Sequence, residues 1–105
     1  MHTDALASAI RQLASGESLS TEETAKAFDV IMRGEATPAR IAAVLMALRV
    51  KGETAAEVAG GAQALRNAMV HLSAHDPASL VDTCGTGGGS LQTFNISTAA
   101  ALLAA

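Results

Sequence analysis

The chain has 105 residues, half of them apolar, with a formal net charge of −3 and a single cysteine. That length leaves room for one domain with a modest core. The acidic balance argues against a nucleic-acid surface, which needs a basic patch, and one thiol excludes an internal disulfide and fits a reducing cytoplasm.

The apolar residues are mainly alanine, leucine and valine, with two phenylalanines and neither tryptophan nor tyrosine. Such a composition favours closely packed helices over a sandwich or barrel. The start, Met1-His2-Thr3-Asp4, has neither the basic nor the apolar region of a signal peptide, and the longest apolar run (41–48) is far short of a bilayer span. The expectation is a soluble cytoplasmic protein without membrane contact.

Four helices are predicted over 1–70. Leu6, Ile10 and Leu13 form a helical stripe that stops at Gly16. Ser20-Thr21-Glu22-Glu23 is a capping box, behind which Ala27, Phe28 and Ile31 share a face up to Gly34. Thr37-Pro38 supplies an N-cap and a proline at the first helical position. The third helix that follows carries Ile41, Val44, Leu45 and Leu48 and is apolar almost all round, which predicts central burial. Thr54-Ala55-Ala56-Glu57 is a second capping box, and Val58, Ala62, Leu65 and Met69 continue a stripe along the fourth helix. Gly60-Gly61 inside that helix costs about 1 kcal/mol per glycine relative to alanine. It therefore marks a close helix-to-helix contact or, alternatively, a subunit interface or hinge.

The pattern breaks into polar residues and a proline over 71–78, a linker. Residues 79–84 read as a short strand, followed by a glycine-rich loop and, from Ser97, an alanine- and leucine-rich helix. Together, 79–105 read as the opening of an α/β domain. An isolated strand leaves its backbone groups unsatisfied, so this segment needs partners.

The loop CGTGGGSLQTFNIST starts at Cys84. Glycines between strand and helix let backbone N–H groups approach a ligand, and the helix N-terminus adds partial positive charge. A phosphate or pyrophosphate suits such a loop; a merely tight turn is the alternative. A Walker loop is excluded because no lysine follows Gly85, and the dinucleotide fingerprint fails at Ser90. Thr93, Asn95, Ser97 and Thr98 add hydroxyls and an amide that can donate to phosphate oxygens, and the serine can ligate a hard cation. N-capping is what each would do alone.

GTGGGSLQTFNISTAAA resembles the phosphoribosyl-pyrophosphate loop of the anthranilate phosphoribosyltransferases, approximately GTGGD-x-x-x-TFNIST. The four-helix region, with its Ser-x-x-Glu, Thr-Pro and Thr-x-x-Glu starts, is similar too, so the resemblance covers the whole chain. It implies a helical domain beside a larger α/β domain, paired into homodimers through the helical domain. The implied reaction transfers phosphoribosyl from phosphoribosyl pyrophosphate to the amine of anthranilate, in tryptophan biosynthesis, with Mg2+. Carried over, Gly85, Gly88, Gly89, Thr93, Asn95, Ile96, Ser97 and Thr98 would contact phosphoribosyl pyrophosphate. Gly85 would lie near anthranilate, and Ser97 would be a magnesium ligand. The family requires no protein nucleophile, and none is offered.

Gly89 departs from the family's aspartate, so a carboxylate expected near the substrate is missing. The chain resembles roughly the first third of the enzyme and is not expected to catalyse alone. A pyrimidine nucleoside phosphorylase is disfavoured, because Thr83-Cys84-Gly85-Thr86 stands where those enzymes carry Lys-His-Ser-Thr. A non-catalytic module that dimerises through helices one and three is a further alternative. Cys84 reads as an apolar filler at a strand end, with a reactive thiol helped by helix-end charge as the alternative. Asp82 reads as making a structural hydrogen bond, with orientation of loop donors as the alternative. His71 and His75 are four apart but lack a third metal ligand.

Overall fold

Residues 4–85 and 95–105 are described by a computed structural model, and they divide into two units at His71–Leu72. The first unit holds four helices: α1 (Ala5–Ala14), α2 (Thr21–Met32), α3 (Pro38–Lys51) and α4 (Ala55–Ala68). Each begins where a side chain can satisfy an orphan backbone donor. Asp4 caps α1, Thr37 caps α3 ahead of Pro38, and both Ser20/Glu23 and Thr54/Glu57 form complete capping boxes. Of these starts, only Asp4 was not signalled by the sequence pattern. Helix α2 closes in a Schellman arrangement: Gly34 takes φ +74°, its N–H donates to Ile31, and the N–H of Glu35 donates to Val30.

The core is built from Leu6, Ala9, Leu13, Leu19, Ala27, Val44 and Leu48, with Ile10, Phe28 and Ile31 packed against it. Helix α1 packs on α2 and α3, and α2 packs on α4. The stripe expected on α1 is the one buried. Helix α2 adds the fully buried Thr24, whose hydroxyl donates to the Ser20 carbonyl at 2.9 Å.

Two expectations about the helices are corrected. Helix α3 is not centrally buried. Val44 and Leu48 are buried and Ile41 and Ala47 half-buried, while Leu45, Met46 and Val50 are exposed, Val50 to 80%. The reason is that α3 leans on α1 along one face, so an apolar circumference does not guarantee neighbours on every side. On α4 the buried stripe is Glu57, Gly60, Gly61 and Ala64, not Val58, Ala62, Leu65 and Met69. The helix is turned by one residue, about 100°, because its small-residue face lets the backbone approach α2. A Cβ at Gly60 would collide with the Thr21 carbonyl oxygen and come within 2.7 Å of the Thr24 Cβ. The packing bears out the close-contact reading at Gly60, whereas a Cβ at Gly61 would meet only the Phe28 ring at 3.8 Å, an ordinary contact. Val58, Ala62 and Leu65 instead line, with Phe28 and Leu45, an open groove of about 340 Å³.

In the second unit, Pro77–Ser79 is one turn of 3₁₀-helix and α5 runs over Ile96–Ala104. The strand expected over 79–84 is not formed among the described residues. Leu80 has extended dihedrals, but among the described residues no neighbouring strand supplies the ladder that turns an extended segment into a sheet. No helix among the described residues is long and apolar enough to cross a membrane.

Candidate functional site

The candidate site lies within the second unit, where the chain on either side of residues 86–94 is drawn together. The tie is made by Thr83, whose hydroxyl donates to the Ser97 carbonyl at 3.2 Å across fourteen positions of sequence. Next to it, the N–H of Cys84 donates to the Asp82 carboxylate at 2.8 Å, bending the chain as an Asx turn. The backbone is thereby carried to Gly85, where a Cβ would lie 4.0 Å from the Ser97 hydroxyl oxygen.

Helix α5 starts at this point. Asn95 is its N-cap, and the side-chain oxygen accepts from the Thr98 N–H at 3.0 Å. The first-turn N–H groups of a helix carry partial positive charge, and α5 has no acidic residue in its first turn to neutralise it. Gly85, Asn95, Ile96 and Thr98 are exposed and Ser97 is half-buried. An oxyanion fits this arrangement better than a free cation, which the helix end would repel.

Of the residues expected to bind substrate, the structure brings Gly85, Asn95, Ile96, Ser97 and Thr98 to one place. Gly88, Gly89 and Thr93 lie outside the described residues. Asp82 has the structural hydrogen-bonding role expected of it. Cys84 is a correction: it is exposed rather than buried filler, because the strand that would have packed it is not formed. Among the described residues no group of three or more His, Cys, Asp or Glu side chains converges as a metal site. Sequence reasoning passed over Thr83, and no local signal could have found it, since its partner is far along the chain.

Residues 7–69 match the helical bundle domain of the glycosyl transferase family, and residues 77–105 match that family's a/b domain. The chain belongs to this family. It is 52% identical over 96 residues to the anthranilate phosphoribosyltransferase of Moorella thermoacetica, covering 91% of this chain and 28% of the relative. The corresponding enzymes of Symbiobacterium thermophilum and Agrobacterium fabrum are 49% and 48% identical, with the same coverage of both chains. The chain therefore spans about 28% of the length of the curated relatives it matches. No solved structure matches it.

Proposed function

We propose that this chain is the N-terminal part of an anthranilate phosphoribosyltransferase, which transfers phosphoribosyl from phosphoribosyl pyrophosphate to the amine of anthranilate in tryptophan biosynthesis. The observation that carries this reading is the convergence of Gly85 with the acid-free N-terminus of α5, in a chain 52% identical to a relative of that name. Gly85, Gly88, Gly89, Thr93 and the 95–98 segment bind phosphoribosyl pyrophosphate, and Gly85 also borders anthranilate. In the reaction the amine nitrogen forms a bond to the anomeric carbon as the bond to pyrophosphate breaks. Pyrophosphate leaves with the electron pair, and the amine loses a proton.

The chain's share of this work is electrostatic: backbone N–H groups and hydroxyls at the start of α5 take up charge as it develops on the leaving group. Ser97 offers a neutral oxygen suited to Mg2+, but beside a positive helix end that ion needs phosphate oxygens as its main ligands. Bound there, Mg2+ would supply further neutralisation of the pyrophosphate. The exposed apolar residues of α3 and α4 support a homodimer formed through the helical unit. A cytoplasmic location suits the single cysteine and the soluble substrates.

The test is calorimetric titration of phosphoribosyl pyrophosphate with Mg2+ into the full-length protein, followed by an assay of anthranilate consumption. Binding and turnover are expected. Binding without turnover of anthranilate would redirect the reading to another acceptor, and no binding would end it.

A further inference from the structure

We infer that Thr83 is a positioning residue for the substrate site, setting the separation of Gly85 and Ser97 through its hydroxyl. The inference rests on the proposed function, which puts those two residues on the same substrate. The helix itself has no need of the Thr83 hydrogen bond. Asn95 already caps α5, and the Ser97 carbonyl, in the first turn, belongs to the helical ladder. A carbonyl has two lone pairs, so the Thr83 hydroxyl is an addition to the ladder rather than a replacement for part of it.

What the bond does is join the residues before the loop to the helix after it. Thr83 is partly buried and holds Ser97 by its backbone, leaving the Ser97 hydroxyl out of the interaction. The Asp82 carboxylate fixes the next peptide through the Cys84 N–H, so the direction of the chain into Gly85 is set as well. The result is the approach in which a Gly85 Cβ would stand 4.0 Å from the Ser97 hydroxyl oxygen. Two contact residues already held at this separation lower the ordering cost of substrate binding. Thr83 thus raises affinity without touching the substrate, and its partner is the backbone of Ser97 whatever side chain stands there.

The experiment uses the full-length protein carrying Thr83→Val, Thr83→Ser, Ser97→Ala and the double variant Thr83→Val/Ser97→Ala. The readouts are the calorimetric Kd for phosphoribosyl pyrophosphate, the Mg2+ concentration for half-maximal binding, and Tm. Thr83→Val keeps the branched shape but removes the donor. It is expected to raise both binding values about fivefold, the worth of one hydrogen bond, with Tm nearly unmoved. Thr83→Ser is expected to restore both to within about twofold of the parent, as a retained hydroxyl requires. The effect of Thr83→Val on the Mg2+ requirement should shrink in the Ser97→Ala background, because the two residues act as a unit. Should valine not be accommodated in the folded chain, Thr83→Ala serves the same comparison. Parent protein that binds while the Thr83 donor variants bind equally well overturns this inference alone, as does a loss that serine fails to rescue. Parent protein that does not bind overturns the proposed function and this inference with it.

Discussion

The Glu57 carboxylate accepts a 2.9 Å hydrogen bond from the backbone N–H of Leu19, thirty-eight residues earlier, and both residues are buried. The same carboxylate accepts from the Thr54 N–H at 2.8 Å and from the Lys51 ammonium at 3.0 Å. Lys51 in turn donates to the Gly52 carbonyl and to the Ser18 hydroxyl. One side chain thus caps α4 and ties that cap to the loop after α1 and to the end of α3. A buried charge so fully supplied with donors is stable where it sits but costly to remove singly.

Acid should loosen the helical unit through this carboxylate. Burial pushes the Glu57 carboxyl up, but the Thr54 and Leu19 backbone donors and Lys51 outweigh it and hold the group at about 2, against an ordinary 4.5. A carboxyl lowered on folding contributes stability that is complete above the higher value and lost as pH falls toward the lower one. The contribution is about 3 kcal/mol, disappearing between roughly pH 4.5 and pH 2. Urea unfolding followed by circular dichroism across this range should show that loss. Glu57→Gln should be less stable at pH 7 by about 3 kcal/mol and should flatten the acid limb relative to the parent. An acid limb of equal slope in both proteins would assign the sensitivity to other carboxylates such as Asp4 and Glu23, which are also held low by their hydrogen bonds.

The adjacent glycines of α4 should respond to alanine in opposite directions. At Gly60 the new methyl meets the backbone of α2 at the Thr21 carbonyl and the Thr24 Cβ, neither of which can yield without moving a helix. Overpacking of that kind costs about 1–3 kcal/mol. At Gly61 the nearest atoms belong to the Phe28 ring, at 3.8 Å or more, an ordinary contact. There the helix propensity of alanine should prevail and add up to about 1 kcal/mol. Thermal unfolding of the two single variants checks this, and a destabilised Gly61→Ala would mean that the Phe28 ring is more tightly held than its distance suggests.

These two sites show which parts of the fold could be read from the sequence. Ser20 with Glu23, Thr37 with Pro38 and Thr54 with Glu57 act within one turn of helix, so their meaning is contained in a few adjacent residues. The rotation of α4 is not local. Side-chain bulk favoured Val58, Leu65 and Met69 as the inner face, but the backbone contact at Gly60 and the donors awaiting Glu57 in the loop after α1 and at the end of α3 decided the matter. Helix α3 misled similarly, because apolar character reveals a capacity for burial and not the number of neighbours. At the candidate site, Asn95 to Thr98 were legible as helix-start donors. The tie from Thr83 to Ser97 was not, since a threonine in an extended segment has no signature that names its partner.

If the helical unit pairs with a second copy, the uncovered side of α3 should govern it. Leu45, Met46 and Val50 lie exposed there, with Val50 the most exposed of the three. The chain should sediment as a dimer, and Val50→Glu should sediment as a monomer with unchanged helicity, because an exposed substitution alters folding stability by no more than about 0.5 kcal/mol. A parent chain that remains monomeric at high concentration would remove the support for pairing through this surface.

The last prediction separates the two roles open to Asn95. Its side-chain oxygen caps α5 by accepting from the Thr98 N–H, and aspartate would preserve that oxygen while adding a negative charge favourable to the helix end. If capping is the whole of its function, Asn95→Asp should be as stable as the parent and bind phosphoribosyl pyrophosphate equally well. In the proposed site, the new charge stands where pyrophosphate must come, and like charges at close range repel. Asn95→Asp is therefore expected to keep its Tm and lose affinity by at least about tenfold, or 1.4 kcal/mol. Asn95→Ala should do the reverse in part, lowering the stability of α5 by about 1 kcal/mol through the lost cap while leaving the anion a site free of added charge. Calorimetric titration of both variants beside their thermal unfolding distinguishes the cases, and unimpaired binding by Asn95→Asp would take residue 95 out of the phosphate site.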